Sequence, residues 1–240
     1  MTMSRPRPCR PAGSVYRPCG PERAAWDPDT AENGVVRYGR AVQRLEMIAE
    51  RCQRVSGLWD EAPPLIGAYA FGHVLDGPDQ LDAVQVALVL NHPAEELTWC
   101  ARPTSCSGLP HLLELEKAPV EWYWRPAVWP VSNHVIVRPL RIWSPDGIDA
   151  VALGALASRA AEPLRLPPPD PRQEDEQLDV ELAASLAYLR RVEDRYWDRE
   201  WRAEHRGSGI YPESHLWDAV HGYLDLHDAI RARRDASGSS

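Results

Sequence analysis

Residues 65–90 read LIGAYAFGHVLDGPDQLDAVQVALVL. Two apolar runs, 65–71 and 83–90, stand on either side of a segment rich in Gly, Pro and Asp, which are the residues that form turns. The second run is apolar at almost every position, as is typical of a strand buried on both faces. The stretch therefore predicts two strands joined by a turn-rich connection.

Before this stretch, apolar residues recur every three or four positions. They are Tyr38, Ala41, Val42, Leu45, Ile48, Ala49, Cys52 and Val55. This spacing places them on one side of a helix, so the segment predicts an amphipathic helix whose stripe faces the core. Asn33 is the expected N-terminal cap and Gly57 the expected end.

After this stretch, the sequence predicts a short helix over 93–100 and β-rich segments between 120 and 143. The expected strands are Val120–Trp124, Val135–Val137 and Leu140–Trp143. Pro139 stands directly before the last of them, so that strand should be an edge strand or bulged. Ser144 and Pro145 resemble a cap followed by a first helical turn, which predicts a helix from there to about Ala161.

The C-terminal third begins with a stretch, 163–173, that holds five prolines and is expected to be a stiff linker. Two helical faces follow it. The first consists of Leu178, Leu182, Ser185, Leu189, Val192 and Tyr196, and the second of Leu216, Val220, Tyr223, Leu224, His227 and Ile230. Gly207 and Gly209 separate them, so two antiparallel helices packed as a hairpin are expected.

The predicted fold class is α/β (α+β): a small mixed sheet with flanking helices, followed by a C-terminal helical hairpin. Five segments are expected: a disordered tail at 1–33, an α/β domain at 34–162, the linker at 163–173, the hairpin at 174–235 and a frayed tail at 236–240. The first of these is rich in Pro and Arg and has too few aliphatic residues to offset the entropy lost on ordering.

The charge and hydropathy of the 240 residues exclude several classes of protein. The formal net charge is −8, and a strongly acidic chain is a poor match for nucleic-acid phosphates. No apolar stretch of about 18 residues exists, so a transmembrane helix and a membrane partner are not expected. The N-terminus lacks the apolar segment of a secretory signal, and we expect a cytoplasmic protein.

Metal binding is not indicated by the cysteines or the histidines. The five cysteines are Cys9, Cys19, Cys52, Cys100 and Cys106, an odd number without zinc-ribbon spacing, so free thiols are expected. His215, His221 and His227 recur at steps of six, whereas two ligands on one helix face need steps of three or four. We expect surface or partly buried histidines there and no bound metal.

Phe71-Gly72-His73 and Asp82-Ala83-Val84 together resemble the nucleotidyltransferase superfamily, which has the DNA-polymerase-β-like fold. That pattern is a strand ending in Gly followed by Ser or Gly, with two carboxylates on the next strand and a third on a later one. The resemblance covers about residues 40–145 and implies nucleotide binding at Gly72 and His73 and catalysis at Asp82. The whole chain also resembles uncharacterised families of GC-rich bacteria.

The chemistry of that superfamily depends on paired carboxylates. Carboxylates at positions i and i+2 of a strand share one face and hold the divalent ions that activate the attacking hydroxyl. Here His73 stands where Ser or Gly is expected, and Val84 stands where the second carboxylate is expected. Shifting the register by one residue puts Ala83 and Gln85 at the two carboxylate positions. A single carboxylate does not hold two Mg²⁺ ions against their hydration.

The pattern therefore favours a catalytically degenerate nucleotidyltransferase-like protein with a binding or regulatory role, without a cofactor and with a nucleotide or a protein as partner. Two alternatives stay open. One is an active Mg²⁺-dependent nucleotidyltransferase that uses a non-standard acidic set around Asp82, drawn from Asp76, Asp79, Glu114 and Glu116. The other is an interaction module that presents the aromatic segment 122–143, with its tryptophans at 122, 124, 129 and 143, to a partner.

Overall fold

The computed structural model describes residues 35–58, 64–117, 119–205 and 211–237. The predictions for the tail 1–33, the cap at Asn33, the break at Gly207 and Gly209 and residues 238–240 lie outside these ranges. Six helices are described: α1 (Tyr38–Ser56), α2 (Leu109–Leu112), α3 (Ala150–Ala157), α4 (Pro171–Arg195), α5 (Arg199–Glu204) and α6 (Pro212–Ser237). Short 3₁₀ turns lie at Gly72–Asp76, Thr104–Cys106, Leu115–Lys117 and Glu162–Leu164.

A five-stranded mixed sheet forms the centre of the described chain. The strands are β1 (Val36–Arg37), β2 (Leu65–Phe71), β3 (Gln80–Leu81), β4 (Val84–Leu90), β5 (Val120–Pro126), β6 (Leu140–Ser144) and β7 (Gly147–Ile148). Their order in the main sheet is β5-β4-β2-β6-β7, with β4 and β5 parallel and the other pairs antiparallel. β1 and β3 form a separate antiparallel pair. The predicted fold class is confirmed.

The prediction of two strands joined by a turn-rich connection is confirmed, and the two strands are neighbours in the sheet. β2 pairs antiparallel with β4, and Phe71 lies opposite Gln85. α1 is also as predicted, because each residue of its expected apolar stripe is buried and Gly57 is its C-cap. Antiparallel neighbours and an amphipathic helix leave strong local patterns in a sequence, which is why both could be predicted.

The sheet is covered by helices on both faces. On one face α1 and α3 pack against the even-numbered positions of β4 and β5, which include Val86, Trp122 and Trp124. On the other face α4 and α6 pack together and share a second cluster, made of Phe71, Ala87, Trp99, Tyr123, Ile136, Leu178, Leu226 and Ile230. The C-terminal helices are therefore one outer layer of the α/β sheet.

The first predicted face of the hairpin is largely right, and the second is right only in part, at Ile230 and at Leu216, which packs against the cluster of Val192, Trp201 and Ala219. On α6 the buried residues are Pro212, His215, Asp218, Ala219, Gly222, Leu226 and Ile230. Of the predicted face only Ile230 is buried, and Leu224 is half exposed. Besides Leu226 and Ile230, the helix turns polar and small residues inward, where Asp218 pairs with Arg102 and Asp225 lies beside Trp99 and His134.

Four local predictions are corrected. Residues 93–100 form turns instead of a helix. Residues 135–137 are a loop, because the Asn133 side chain accepts hydrogen bonds from the amides of Val135 and Ile136. Pro145 and Asp146 form a turn between β6 and β7, so α3 begins later, at Ala150, with Asp149 as its cap. α4 begins at Pro171, capped by Asp170, where the linker had been expected to continue to 173.

Of the described cysteines, Cys52 and Cys106 are free thiols as predicted. Burial raises the pKa of the Cys52 thiol and of the Cys106 thiol. A buried thiol with a raised pKa is rarely a thiolate, so these two are inert packing residues.

Candidate functional site

Gly72 lies at the exit of β2, where the sequence placed it. Its backbone has a φ of 72°, a left-handed conformation that glycine adopts readily and other residues rarely do. A Cβ at this position would stand 1.8 Å from Oε1 of Gln85. Glycine is therefore favoured here by its backbone conformation, and a larger residue would also force the Gln85 amide to turn away.

Gln85 and Glu121 continue the row that begins at Gly72. Gln85 lies opposite Phe71 on one side and opposite Glu121 of β5 on the other. Nε2 of Gln85 donates a hydrogen bond to Oε2 of Glu121 at 3.0 Å. Both side chains are half-buried, on the sheet face covered by α4 and α6. We call these three residues, Gly72, Gln85 and Glu121, the Gly72 row.

The resemblance places the second carboxylate at Val84, but the residue of β4 that stands in the Gly72 row is Gln85. Val84 is buried on the side of the sheet that α1 covers. Because successive residues of a strand point to opposite faces, Gln85 lies on the face of the Gly72 row. Asp82 lies in the bend between β3 and β4, outside the ladder, and is exposed. His73 is exposed in the 3₁₀ turn that begins at Gly72. The roles assigned to Asp82 and His73 stay predictions.

Three of the acidic residues considered for a metal site lie beside basic side chains. Asp76 pairs with Arg165 at 3.3 Å, Asp79 with Arg159 at 2.7 Å, and Glu114 with Arg51 at 2.6 Å and Lys117 at 2.9 Å. The hydrogen bond from Lys117 is the largest effect that lowers the pKa of Glu114. Within the ranges that the structure describes, no three His, Cys, Asp or Glu side chains are grouped so as to hold a metal ion.

Glu121 is a site residue that sequence reasoning missed. The resemblance implies a third carboxylate on a later strand, and residues 135–141 contain none. The signal was present, because Glu121 is the one acidic residue of an otherwise apolar and aromatic strand start. The sequence alone does not place Glu121 beside Gly72, because that placement depends on the parallel pairing of β4 with β5, in which residue 85 lies opposite residue 121. A non-local pairing of that kind leaves no local pattern.

The aromatic segment 122–143 is mainly core, which counts against the alternative in which its tryptophans form a partner surface. Trp122, Trp124 and Trp143 are buried. Trp122 and Trp124 share one face, as alternation predicted, and that face is covered by α1. Nε1 of Trp143 donates a hydrogen bond to Oε1 of Gln53 on α1 at 3.0 Å. These three rings are not available to stack on a ligand.

A second polar cluster joins α6 to the loops above the sheet. Oδ2 of Asp225 accepts a hydrogen bond from Nε1 of Trp99 at 2.6 Å and lies 3.0 Å from Nε2 of His134. The Trp99 ring stacks on Tyr123 with a centroid distance of 4.9 Å. His134, to which the sequence assigned no role, thus helps to position α6.

A third cluster fills the space between α4, α5 and α6. The rings of His205 and His215 meet edge to face at 4.8 Å, and Nδ1 of His215 lies 3.3 Å from the Tyr188 hydroxyl. Both histidines are buried. Burial lowers the pKa of His215 from its ordinary value of 6.5 to about 4, and the charges of His205 and Arg102 act in the same direction.

Among the helices that the structure describes, none is both long enough and apolar enough to pass through a lipid bilayer. The predicted cytoplasmic location stays a prediction.

Comparison with known proteins gives one finding. A family model with the description "Domain of unknown function (DUF7711)" matches residues 36–232. The match runs from β1 almost to the end of α6, so it spans the sheet and the C-terminal helices alike. Comparison with curated proteins and with solved structures gave no match.

Proposed function

The chain belongs to the family described as Domain of unknown function (DUF7711), and because that description names no activity, we propose a function from the chain's own residues. The protein is a catalytically degenerate nucleotidyltransferase-like protein with a binding or regulatory role. The Gly72 row carries this proposal.

The row supports the loss of catalysis because it contains one carboxylate where metal-dependent transfer needs at least two. Glu121 is that carboxylate, and the neighbouring position holds the neutral amide of Gln85, which donates to it at 3.0 Å. A hydrogen-bonded amide supplies no negative charge to a divalent ion, and Mg²⁺ gives up its water reluctantly. The row thus lacks the ligands that would hold Mg²⁺ and a triphosphate together.

The space above Gly72 also supports the proposal. In an active site of this type, a glycine lets the backbone approach phosphate oxygens. Here Oε1 of Gln85 occupies the position beside Gly72, at 1.8 Å from where a Cβ would stand. The helices α4 and α6 cover the same face of the sheet through Phe71 and Tyr123. A phosphate at Gly72 would have to displace the amide.

Calorimetric titration with ATP, GTP and CTP, each with and without Mg²⁺, tests the proposal directly. We expect no Mg²⁺-dependent binding and no transfer of label from labelled nucleotides to proteins of a cell extract. Mg²⁺-dependent tight binding, or labelling that Asp82→Asn abolishes, would contradict the proposal and support the active alternative.

Gln85→Glu tests whether the amide is what excludes the metal. Two adjacent carboxylates repel each other, so in the presence of a chelator we expect the free energy of unfolding to fall by about 1 kcal/mol. Mn²⁺ should restore it, because the ion binds between the two carboxylates. Gln80→Glu, at an exposed position of β3, is the matched control. Its free energy of unfolding should change neither with the chelator nor with Mn²⁺. A Gln85→Glu variant insensitive to chelator and to Mn²⁺ would show that residue 85 does not decide metal binding.

A further inference from the structure

Helix α6 carries a regular row of side chains on its outer side. Residues 213, 217, 220, 224, 227 and 231 follow one another at steps of four and three, the spacing of positions a and d in a coiled coil. They are Glu213, Trp217, Val220, Leu224, His227 and Arg231. We call this row the α6 stripe.

The stripe is accessible and contains large apolar groups. Trp217 is 67% exposed and Leu224 is 50% exposed. The side chains of Glu213 and His227 are also at least half exposed. The inner side of the same helix holds smaller and more polar residues, such as Ala219, Gly222 and Asp218. A helix that directs its Trp and a Leu outward has an apolar surface that the described part of the chain does not cover.

We propose that the α6 stripe is a homodimer interface, on which the α6 helix of a second copy of this chain docks antiparallel. The order of residues along the stripe supports this occupant. In an antiparallel arrangement centred near residue 222, Glu213 faces Arg231 of the second copy, Trp217 faces its His227, and Val220 faces its Leu224. Each of these layers occurs twice because the interface is two-fold symmetric.

Every layer of this register is chemically complementary. An acidic residue meets a basic one, an aromatic ring meets an imidazole, and two aliphatic side chains meet each other. A parallel arrangement would instead place Glu213 on Glu213 and Arg231 on Arg231, so that like charges oppose each other at both ends of the helix. The charges therefore select the antiparallel orientation.

Glu213 already has partners within its own chain, and these are compatible with docking. Arg202 donates to its Oε1 at 2.7 Å, while the Glu213 side chain remains more than half exposed. A carboxylate has about four acceptor sites, so it accommodates a second guanidinium. Arg231 of the second copy would join an existing ion pair at the end of the stripe.

The size of the surface predicts a weak dimer. One helix face buries less than the roughly 800 Å² per partner of a standard interface. We therefore expect a dissociation constant on the order of 10–100 µM, so that monomer and dimer exchange over accessible concentrations.

Sedimentation velocity of the full chain, from about 1 to about 500 µM, measures this equilibrium. We expect a shift from monomer to dimer with rising concentration. Trp217→Ala/Leu224→Ala should weaken dimerisation at least tenfold, because it removes most of the apolar area of the stripe. The matched control is Val151→Ser, since Val151 is exposed on α3, in the layer on the opposite face of the sheet. The control should dimerise like the unmodified protein.

A charge exchange tests the orientation. Arg231→Glu and Glu213→Arg should each weaken the dimer about tenfold, and the double variant should restore it, because each variant charge then faces its opposite. Circular dichroism shows whether each variant is folded.

A monomer at every concentration overturns the proposal. So does a dimer that tolerates Trp217→Ala/Leu224→Ala, and so does a double charge variant that fails to recover. None of these outcomes bears on the Gly72 row, whose test is nucleotide and metal binding.

Discussion

At Gly222, helix α6 passes directly against the backbone of the loop at Trp99. A Cβ at this position would stand 2.1 Å from the carbonyl oxygen of Trp99, which is backbone and cannot turn away. Glycine inside a helix costs about 0.5–1 kcal/mol relative to alanine, so its presence needs a reason. The reason is the close approach of α6 to the loop, because this approach lets Asp225, three residues further along α6, reach Trp99 and His134.

Gly222→Ala should therefore destabilise the protein. We expect the free energy of unfolding to fall by about 2–3 kcal/mol, since the added methyl group forces α6 away from the loop. Gly154→Ala is the matched control, because Gly154 also lies in a helix and a Cβ there meets nothing within 4 Å. That variant should gain about 0.5–1 kcal/mol. Urea denaturation measures both, and equal effects of the two variants would contradict the packing argument.

At the scale of elements, the contact among α4, α5 and α6 depends on uncharged histidine. His215 of α6 is buried beside His205 and near Tyr188 of α4, and its pKa is lowered to about 4, first of all by burial. In the unfolded chain the same imidazole titrates at its ordinary value of 6.5. Between these two values the unfolded state binds more protons than the folded state, so protonation favours unfolding.

The stability of the protein should therefore decrease as the pH falls from 6.5 towards 4. The contribution of His215 is at most about 3 kcal/mol, because each pKa unit is worth about 1.4 kcal/mol. In His215→Gln the free energy of unfolding should depend less on pH between 6.5 and 4, whatever the effect of the substitution on stability at pH 7. His111→Gln, at an exposed position, should leave the slope unchanged. Denaturant titrations at pH 7, 6, 5 and 4.5 give the slope, and parallel profiles for the unmodified protein and His215→Gln would refute this role.

At the scale of the whole molecule, one buried ion pair joins the sheet to the C-terminal helices. Arg125 of β5 donates two hydrogen bonds to Glu181 of α4, at 2.7 and 2.6 Å. Their side chains are 1% and 0% exposed. Arg125 also donates to the carbonyl of Pro130, and Gln177 donates to Glu181, so the remaining polar atoms of the pair are largely satisfied. The pair orients α4 on the sheet.

Glu181→Ala should lower the free energy of unfolding by about 3–5 kcal/mol, because it leaves the Arg125 charge buried without its partner. Arg125→Met/Glu181→Leu should cost much less, since it removes both charges and keeps the volume. Glu204→Ala, which removes a surface pair with Arg195 at 3.9 Å, should cost less than about 1 kcal/mol. A double variant as unstable as Glu181→Ala would show that lost packing, and not the unpaired charge, causes the effect.

The elements that could be predicted from the sequence are those with a strong local pattern. α1 has one uninterrupted apolar stripe, and β2 and β4 are apolar runs bounded by turn residues. Where two patterns compete, prediction failed. Ser144-Pro145-Asp146 suits a helix start and a tight turn equally well, and pairing of β7 with β6 decides for the turn. On α6 the predicted face is right only in part, because the inner side also meets polar groups from distant parts of the chain.

The acidic charge, the fold class and the position of Gly72 at the end of a strand follow from composition and short-range periodicity. Which residues stand beside Gly72 depends on how distant strands pair. The antiparallel pairing of β2 with β4 and the parallel pairing of β4 with β5 bring Gln85 and Glu121 together across 36 residues. Strand register depends on hydrogen bonds between distant segments, so no single segment contains it.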